Sequence, residues 1–271
     1  ASGEITIFHN SKKIGTRDVP AGYYQLHQNG IYHFNKKNYQ VESIVKTQNG
    51  ANAYLKKSDE IQKRTIPIVK TSLTQISEKK SIKKEINTAA KKITLRYGLI
   101  DMNRIITGYL KGNYNDSADK FETINGDSIS TWNNFNWNSK HYCTSIFIPS
   151  EFETKIKSDV KNSIITDSKI HTITHVLVNA SKILTKSESN DIDAYYENGV
   201  IHLFDNTSDG YNGCSKMIYE NFEEIMKTCF DLINECDCPV DPKQKKVVSE
   251  GEEWGGCPKC TFTTNYCQTK N

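Results

Sequence analysis

The sequence predicts an α+β fold: a β-rich N-terminal domain over residues 1–125, then an α/β domain over residues 126–271 that ends in a cysteine cluster. Three observations predict it. Short apolar-aromatic runs, several of them alternating every second residue, fill the first half. After Pro149 the apolar spacing becomes helical. Six of the eight cysteines lie between Cys229 and Cys267. A length of 271 residues suits two packed domains, and the break falls within residues 112–140, a stretch rich in Asn, Asp, Ser and Gly that reads as a long loop.

The elements follow in order. Gly30–Phe34 and Tyr39–Ile44 are strands joined by the polar turn Asn35-Lys-Lys-Asn38. Asn49-Gly50 marks a second turn before Ala53–Leu55. Thr65–Leu73 alternates as a strand with one buried face does, and Ile93–Tyr97 and Asn103–Tyr109 read as two further strands. Tyr142–Ile148 is strand-like and stops at Pro149. Ser150-Glu-Phe-Glu is a capped helix start, and Ile170, Ile173, Leu177, Ala180 and Leu184 share one helix face. Val200–Phe204 is a buried strand, Asp205–Gly213 a turn-rich loop. A last helix with Ile218, Phe222, Ile225, Cys229 and Leu232 at helical spacing runs straight into Cys236.

Charge is segregated. Residues 56–97 carry twelve Lys/Arg against four Asp/Glu, a net +8, whereas residues 187–253 carry five Lys against sixteen Asp/Glu, a net −11. The basic segment suits a phosphate backbone, with Lys79, Lys80, Lys83 and Lys84 as the candidate contacts. A solvated lysine-rich face explains it equally well. No run of about 18 apolar residues exists, so no membrane helix is expected. No basic-then-apolar leader opens the chain, which makes the cytoplasm the default compartment, or the nucleus in a eukaryote.

In a reducing compartment clustered cysteines favour metal over disulfides. Cys236-Asp-Cys238 and Gly256-Cys257-Pro258-Lys259-Cys260 form two pairs, each biting from a short loop, as a tetrahedral thiolate zinc site requires. The candidate ligands are Cys236, Cys238, Cys257 and Cys260, with Cys267 a possible replacement and an iron–sulfur cluster or free thiols as alternatives. Cys143, Cys214 and Cys229 sit among apolar or small residues and read as structural. His171 and His175, four residues apart, have metal-ligand spacing, and Asp205 could join them in a hydrolytic site. Histidines bonded to the Asp205–Gly213 loop are the more economical reading. No phosphate-binding GxxxxGK[ST], DExH or GxSxG motif is present, so the chain shows no catalytic machinery of its own.

The order of these features resembles the C-terminal zinc-binding domain of MrfA/YprA-type DEAD/DEAH-box DNA helicases. It runs from His171 and His175 through Phe204-Asp205, Asp209-Gly210 and Gly213 to Cys236, Cys238, Gly256-Cys257-Pro258 and Cys260. Upstream, Ile14-Gly-Thr-Arg-Asp18, Leu26-His27, Gly30-Ile-Tyr32, Tyr39-Gln-Val41 and Thr107-Gly108-Tyr109 are similar to the region after that family's second motor domain. Eighteen residues separate CxC from CPxC here, more than the family pattern has, and the glycine loop is reduced. The resemblance implies a zinc-binding accessory module of an ATP-dependent DNA helicase linked to repair, with DNA and the motor domains, in the same chain or in another, as partners. A stand-alone, non-enzymatic subunit that docks on a separate helicase through its acidic half is the alternative.

Overall fold

A computed structural model of the chain describes residues 3–19, 21–75, 82–87, 92–116, 120–128, 135–152, 163–188, 190–207 and 209–234. It has two compact units, and they are interleaved along the chain. The first comprises the described residues up to Gln75 and from Asp101 to Lys140; the second takes those up to Ile100 and from His141 on. The sequence suggested two consecutive domains cut at 125/126; in the structure the chain enters each unit twice.

The first unit contains a five-stranded sheet of order β2-β1-β5-β4-β3, made of β1 (Glu4–His9), β2 (Lys12–Asp18), β3 (Ile31–Phe34), β4 (Lys37–Thr47) and β5 (Gly50–Lys57), with the short helix α1 (Ala21–Gln25) between β2 and β3. Two of its hairpins turn on residue pairs with positive φ: Asn10 and Ser11 between β1 and β2, and Asn35 and Lys36 between β3 and β4. Such turns match the right-handed twist of the paired strands. β1 pairs parallel with β5, the rest antiparallel. Ile5, Ile7, Leu26, Val41, Ala53, Phe135 and Trp137 are among the residues that form its core.

A second sheet has the order β11-β12-β10-β8-β6, with β7 and β9 also pairing with β8. Its strands are β6 (Lys63–Gln75), β7 (Ile82–Asn87), β8 (Lys92–Asn113), β9 (Glu122–Asn125), β10 (Asn136–Phe147), β11 (Ile192–Glu197) and β12 (Val200–Asp205). The two strands expected at 93–97 and 103–109 are therefore one strand of 22 residues. The sequence divides there because the buried positions change parity. Leu95 and Tyr97 point inward before Gly98; Ile100, Met102, Arg104 and Ile106 do so after it. Part of the expected 112–140 loop is also strand. In β10, Trp137, Ser139 and His141 point inward between exposed Asn136, Asn138 and Lys140, so the alternation is real but half of the inward residues are polar. Ser139 Oγ accepts a hydrogen bond from buried Arg104 at 3.0 Å.

In the second unit, helices α2 (Ser163–Thr185), α3 (Cys214–Glu220) and α4 (Phe222–Asn234) accompany the strands. α2 packs against both β11 and α4, so its buried surface is broad: Thr174, His175, Val176, Leu177, Val178, Ala180 and Ser181 are all covered, while Ile173, expected inside, is 42% exposed. The expected single helix before Cys236 is two helices, broken at Asn221, whose φ of −112° and ψ of 29° leave the helical region. Leu203, Phe204, Phe222 and Ile225 are among the fully buried side chains. Each such burial stabilises the fold by about 1.5–3 kcal/mol.

No helix among the described residues is long and apolar enough to cross a membrane.

Candidate functional site

The second unit builds its most ordered polar feature at the end of β12. β11 and β12 form a hairpin whose turn, Asn198-Gly199, has φ of 50° and 80°. β12 ends at Asp205, which is completely buried. A buried carboxylate is tolerated only when hydrogen bonds replace its water. Asp205 meets that condition with backbone donors: Oδ2 accepts from the Asn212 and Gly213 N–H groups at 3.1 Å each, and Oδ1 from the Ser215 N–H at 2.6 Å. The Asn212 side chain adds a bond from the Cys214 N–H at 3.0 Å, so the first turn of α3 is capped from outside its own N-terminal residue. Gly213, the residue before that turn, has φ of 84°, a left-handed conformation that a side chain would strain. The Ser215 carbonyl in turn accepts the Thr144 hydroxyl at 2.7 Å, tying α3 to β10. His141, also on β10, donates through Nδ1 to the Asp205 carbonyl at 2.8 Å.

These contacts decide what the loop can do. Both Asp205 carboxylate oxygens face amides, which makes Asp205 a brace of the loop and α3. His171 and His175 stack on one another with ring centroids 4.2 Å apart. No group of three or more His, Cys, Asp or Glu is placed to hold a metal among the described residues. The hydrolytic triad His171, His175 and Asp205 therefore has no support. His141, Asn212 and Thr144 were not singled out in the sequence; only Asn212, beside a glycine at a helix start, carries a local signal for its role.

The cysteines divide into two kinds. Cys143, Cys214 and Cys229 are buried and free. Burial pushes the Cys143 and Cys229 thiols up to about 12 and raises Cys214 as well. They stay protonated, and Cys229 donates weakly to the Val176 carbonyl at 3.8 Å. Cys236, Cys238, Cys257 and Cys260 lie outside the described residues. The first pair begins just past α4, whose last residue is Asn234. Four thiolates in two short-range pairs form a donor set suited to a closed, structural zinc site.

Of the lysines, Lys79 and Lys80 also lie outside the described residues. Lys83 and Lys84 are on β7. Lys83 is exposed and pairs across the ladder with Arg96. Lys84 points the other way: its Nζ sits 4.8 Å from the Tyr219 ring centroid and 3.4 Å from the Glu220 carbonyl at the end of α3. On the same hairpin Glu85 forms an ion pair with Lys92, whose hydrogen bond lowers the Glu85 pKa.

Residues 173–261 match the family described as the MrfA Zn-binding domain. That span takes in Cys236, Cys238, Cys257 and Cys260 together with α3 and α4, and leaves out Cys267 and His171. The domain is a zinc-binding one, so zinc is the metal. A crystal structure of the DUF1998 helicase MrfA bound to DNA shares the fold, with a TM-score of 0.56 and 18% identity, over 97% of this chain and 32% of that chain. A second, of MrfA bound to DNA and AMPPNP, aligns with a TM-score of 0.49 and 17% identity over 87% of this chain and 28% of that one. The chain thus spans about a third of the length of the solved proteins it matches. No curated protein matches the sequence. In fold and in its zinc-binding domain, the chain is similar to the C-terminal region of MrfA-type helicases.

Proposed function

We propose that the chain is the accessory, zinc-binding module of an ATP-dependent DNA helicase and supports DNA binding during repair-type unwinding. The observation that carries this reading is the joint presence of the zinc-binding domain and a fold shared with MrfA along almost the whole chain. The motor domains belong to the same polypeptide or to a partner, and the complex works in the cytoplasm, or the nucleus of a eukaryote. Cys236, Cys238, Cys257 and Cys260 hold the zinc. Bound there, zinc cross-links the end of α4 to a loop eighteen residues further on and is part of the fold, with no open position for chemistry.

Phosphate contacts fall to the hairpin of β7 and β8 and to Lys79 and Lys80 before it. Lys83 opposite Arg96 places two like charges on one face, an arrangement that costs stability unless an anion lies across it. Lys84 has an internal role and drops out of the contact set.

The test is anisotropy of a labelled oligonucleotide titrated with the chain over a salt series. Affinity that falls steeply with salt supports the reading. Affinity absent at low salt, or independent of salt, rejects the DNA contact and leaves docking on a separate helicase as the surviving function.

A further inference from the structure

The helix that leads into the cysteine cluster has more apolar surface than the described fold covers. On α4, at 100° per residue, Phe222, Ile225, Cys229 and Leu232 occupy an arc of about 80°. Phe222, Ile225 and Cys229 are buried there and Leu232 packs beside them. Met226, Phe230 and Ile233 continue that arc without a gap for about another 60°. Yet they are 40%, 64% and 55% exposed. The polar residues, Glu223, Glu224, Lys227, Asp231 and Asn234, keep to the other side. The apolar stripe is thus one edge of a single hydrophobic face, and a polar rim bounds it.

We propose that the chain's own C-terminal segment, residues 235–271, covers this stripe, with Trp254 and Phe262 as the side chains that pack on Phe230 and Ile233. This rests on the zinc ligation proposed above. The first argument is reach. Ile233 precedes Cys236 by three residues, Trp254 precedes Cys257 by three, and Phe262 follows Cys260 by two. Zinc–sulfur bonds of about 2.3 Å bring both cysteine pairs to one point. At no more than about 3.5 Å per residue, all three apolar side chains then start within about 10 Å of the metal. The second argument is concentration: a tethered segment meets the stripe at an effective millimolar level, far above a separate partner. The third is extent. The zinc-binding domain spans 173–261, so α4 and both cysteine pairs belong to one unit. The eighteen residues between the pairs are the length the segment uses to fold back along α4.

The experiment places a photo-crosslinking benzoylphenylalanine at position 230 of the full chain and measures zinc content in the same sample. Irradiation is expected to join position 230 to a peptide within residues 239–271 of the same molecule, and removal of zinc by chelation is expected to lower that yield at least several-fold. A cross-link between two copies, one only to α2 or β11, or none at all, with one zinc per chain present, overturns the proposal and leaves the zinc reading intact. A chain without zinc that still gives the internal cross-link overturns the ligation on which the geometry rests. A second variant, Phe230→Ser with Ile233→Ser, is expected to keep one zinc but lose protection of residues 239–271 from limited proteolysis. Unchanged protection there also counts against it.

Discussion

Asp205 Oδ1 and the Ser215 amide are 2.6 Å apart, the shortest of three backbone hydrogen bonds that end on one buried carboxylate. The relationship joins the end of a strand to the start of a helix ten residues later, and it does so without solvent.

Asp205→Ala removes an ionised acceptor from three amides at once. Hydrogen bonds to a charged group contribute about 1.5–3 kcal/mol each, but neighbouring losses are not additive. A destabilisation of about 3–5 kcal/mol is expected in urea unfolding, with Asp205→Asn intermediate because it keeps one acceptor oxygen. A loss below about 1 kcal/mol would contradict the bracing role.

Metal analysis checks the ligand set. The chain should bind one zinc, lost when Cys236, Cys238, Cys257 or Cys260 is replaced by Ser and kept in Cys267→Ser. Chelation should also lower the melting temperature, because a metal that binds only the folded site stabilises it.

Acid should weaken the fold before the carboxylates titrate. Burial lowers the His27 pKa to about 4 and the His202 pKa to about 4, both below the ordinary 6.5. The unfolded chain therefore binds protons first as pH drops. This stability is complete above pH 6.5, declines between 6.5 and 4, and levels off below 4. For fully buried His27 the effect is on the order of 3 kcal/mol, and less for His202, which is only half-buried. Melting temperatures over pH 4–8 measure it, and His202→Gln should flatten part of the slope.

Lys83→Ala and Lys84→Ala should separate. The first should leave stability unchanged within about 0.5 kcal/mol and reduce the salt dependence of DNA binding by roughly one phosphate contact. The second should leave that slope alone and cost about 0.5–1 kcal/mol, because it removes the cation from above the Tyr219 ring. Equal effects on the salt slope would reject the assignment of Lys84 to the fold.

How much of this was legible varies by element, for physical reasons. The hairpin at Asn35 was read because apolar runs flank a polar turn. The equally plain Asn198-Gly199 pair was passed over because β11, Ile192–Glu197, has few strongly apolar residues. β8 was split because its inward parity changes at Gly98, and β10 was hidden by inward Ser139 and His141, whose partners lie far along the chain. At the site, the importance of Asp205 and the glycine loop was visible, but their use was not. Ligand and brace demand the same residue types, and only the direction of the neighbouring N–H groups tells them apart.

The interleaving of the two units bears on how the chain is made and cut. The first unit needs residues as late as Lys140, so it cannot close on a ribosome until more than half of the chain has emerged. No single truncation isolates either unit, since any cut between Ile76 and Lys140 removes strands from both. A fragment prepared for the zinc half alone, starting at residue 141, would lack β7 and the first part of β8 with Ile86, Leu95 and Tyr97 of its core. To study that half by itself, the hairpin 82–100 would have to be grafted back by circular permutation.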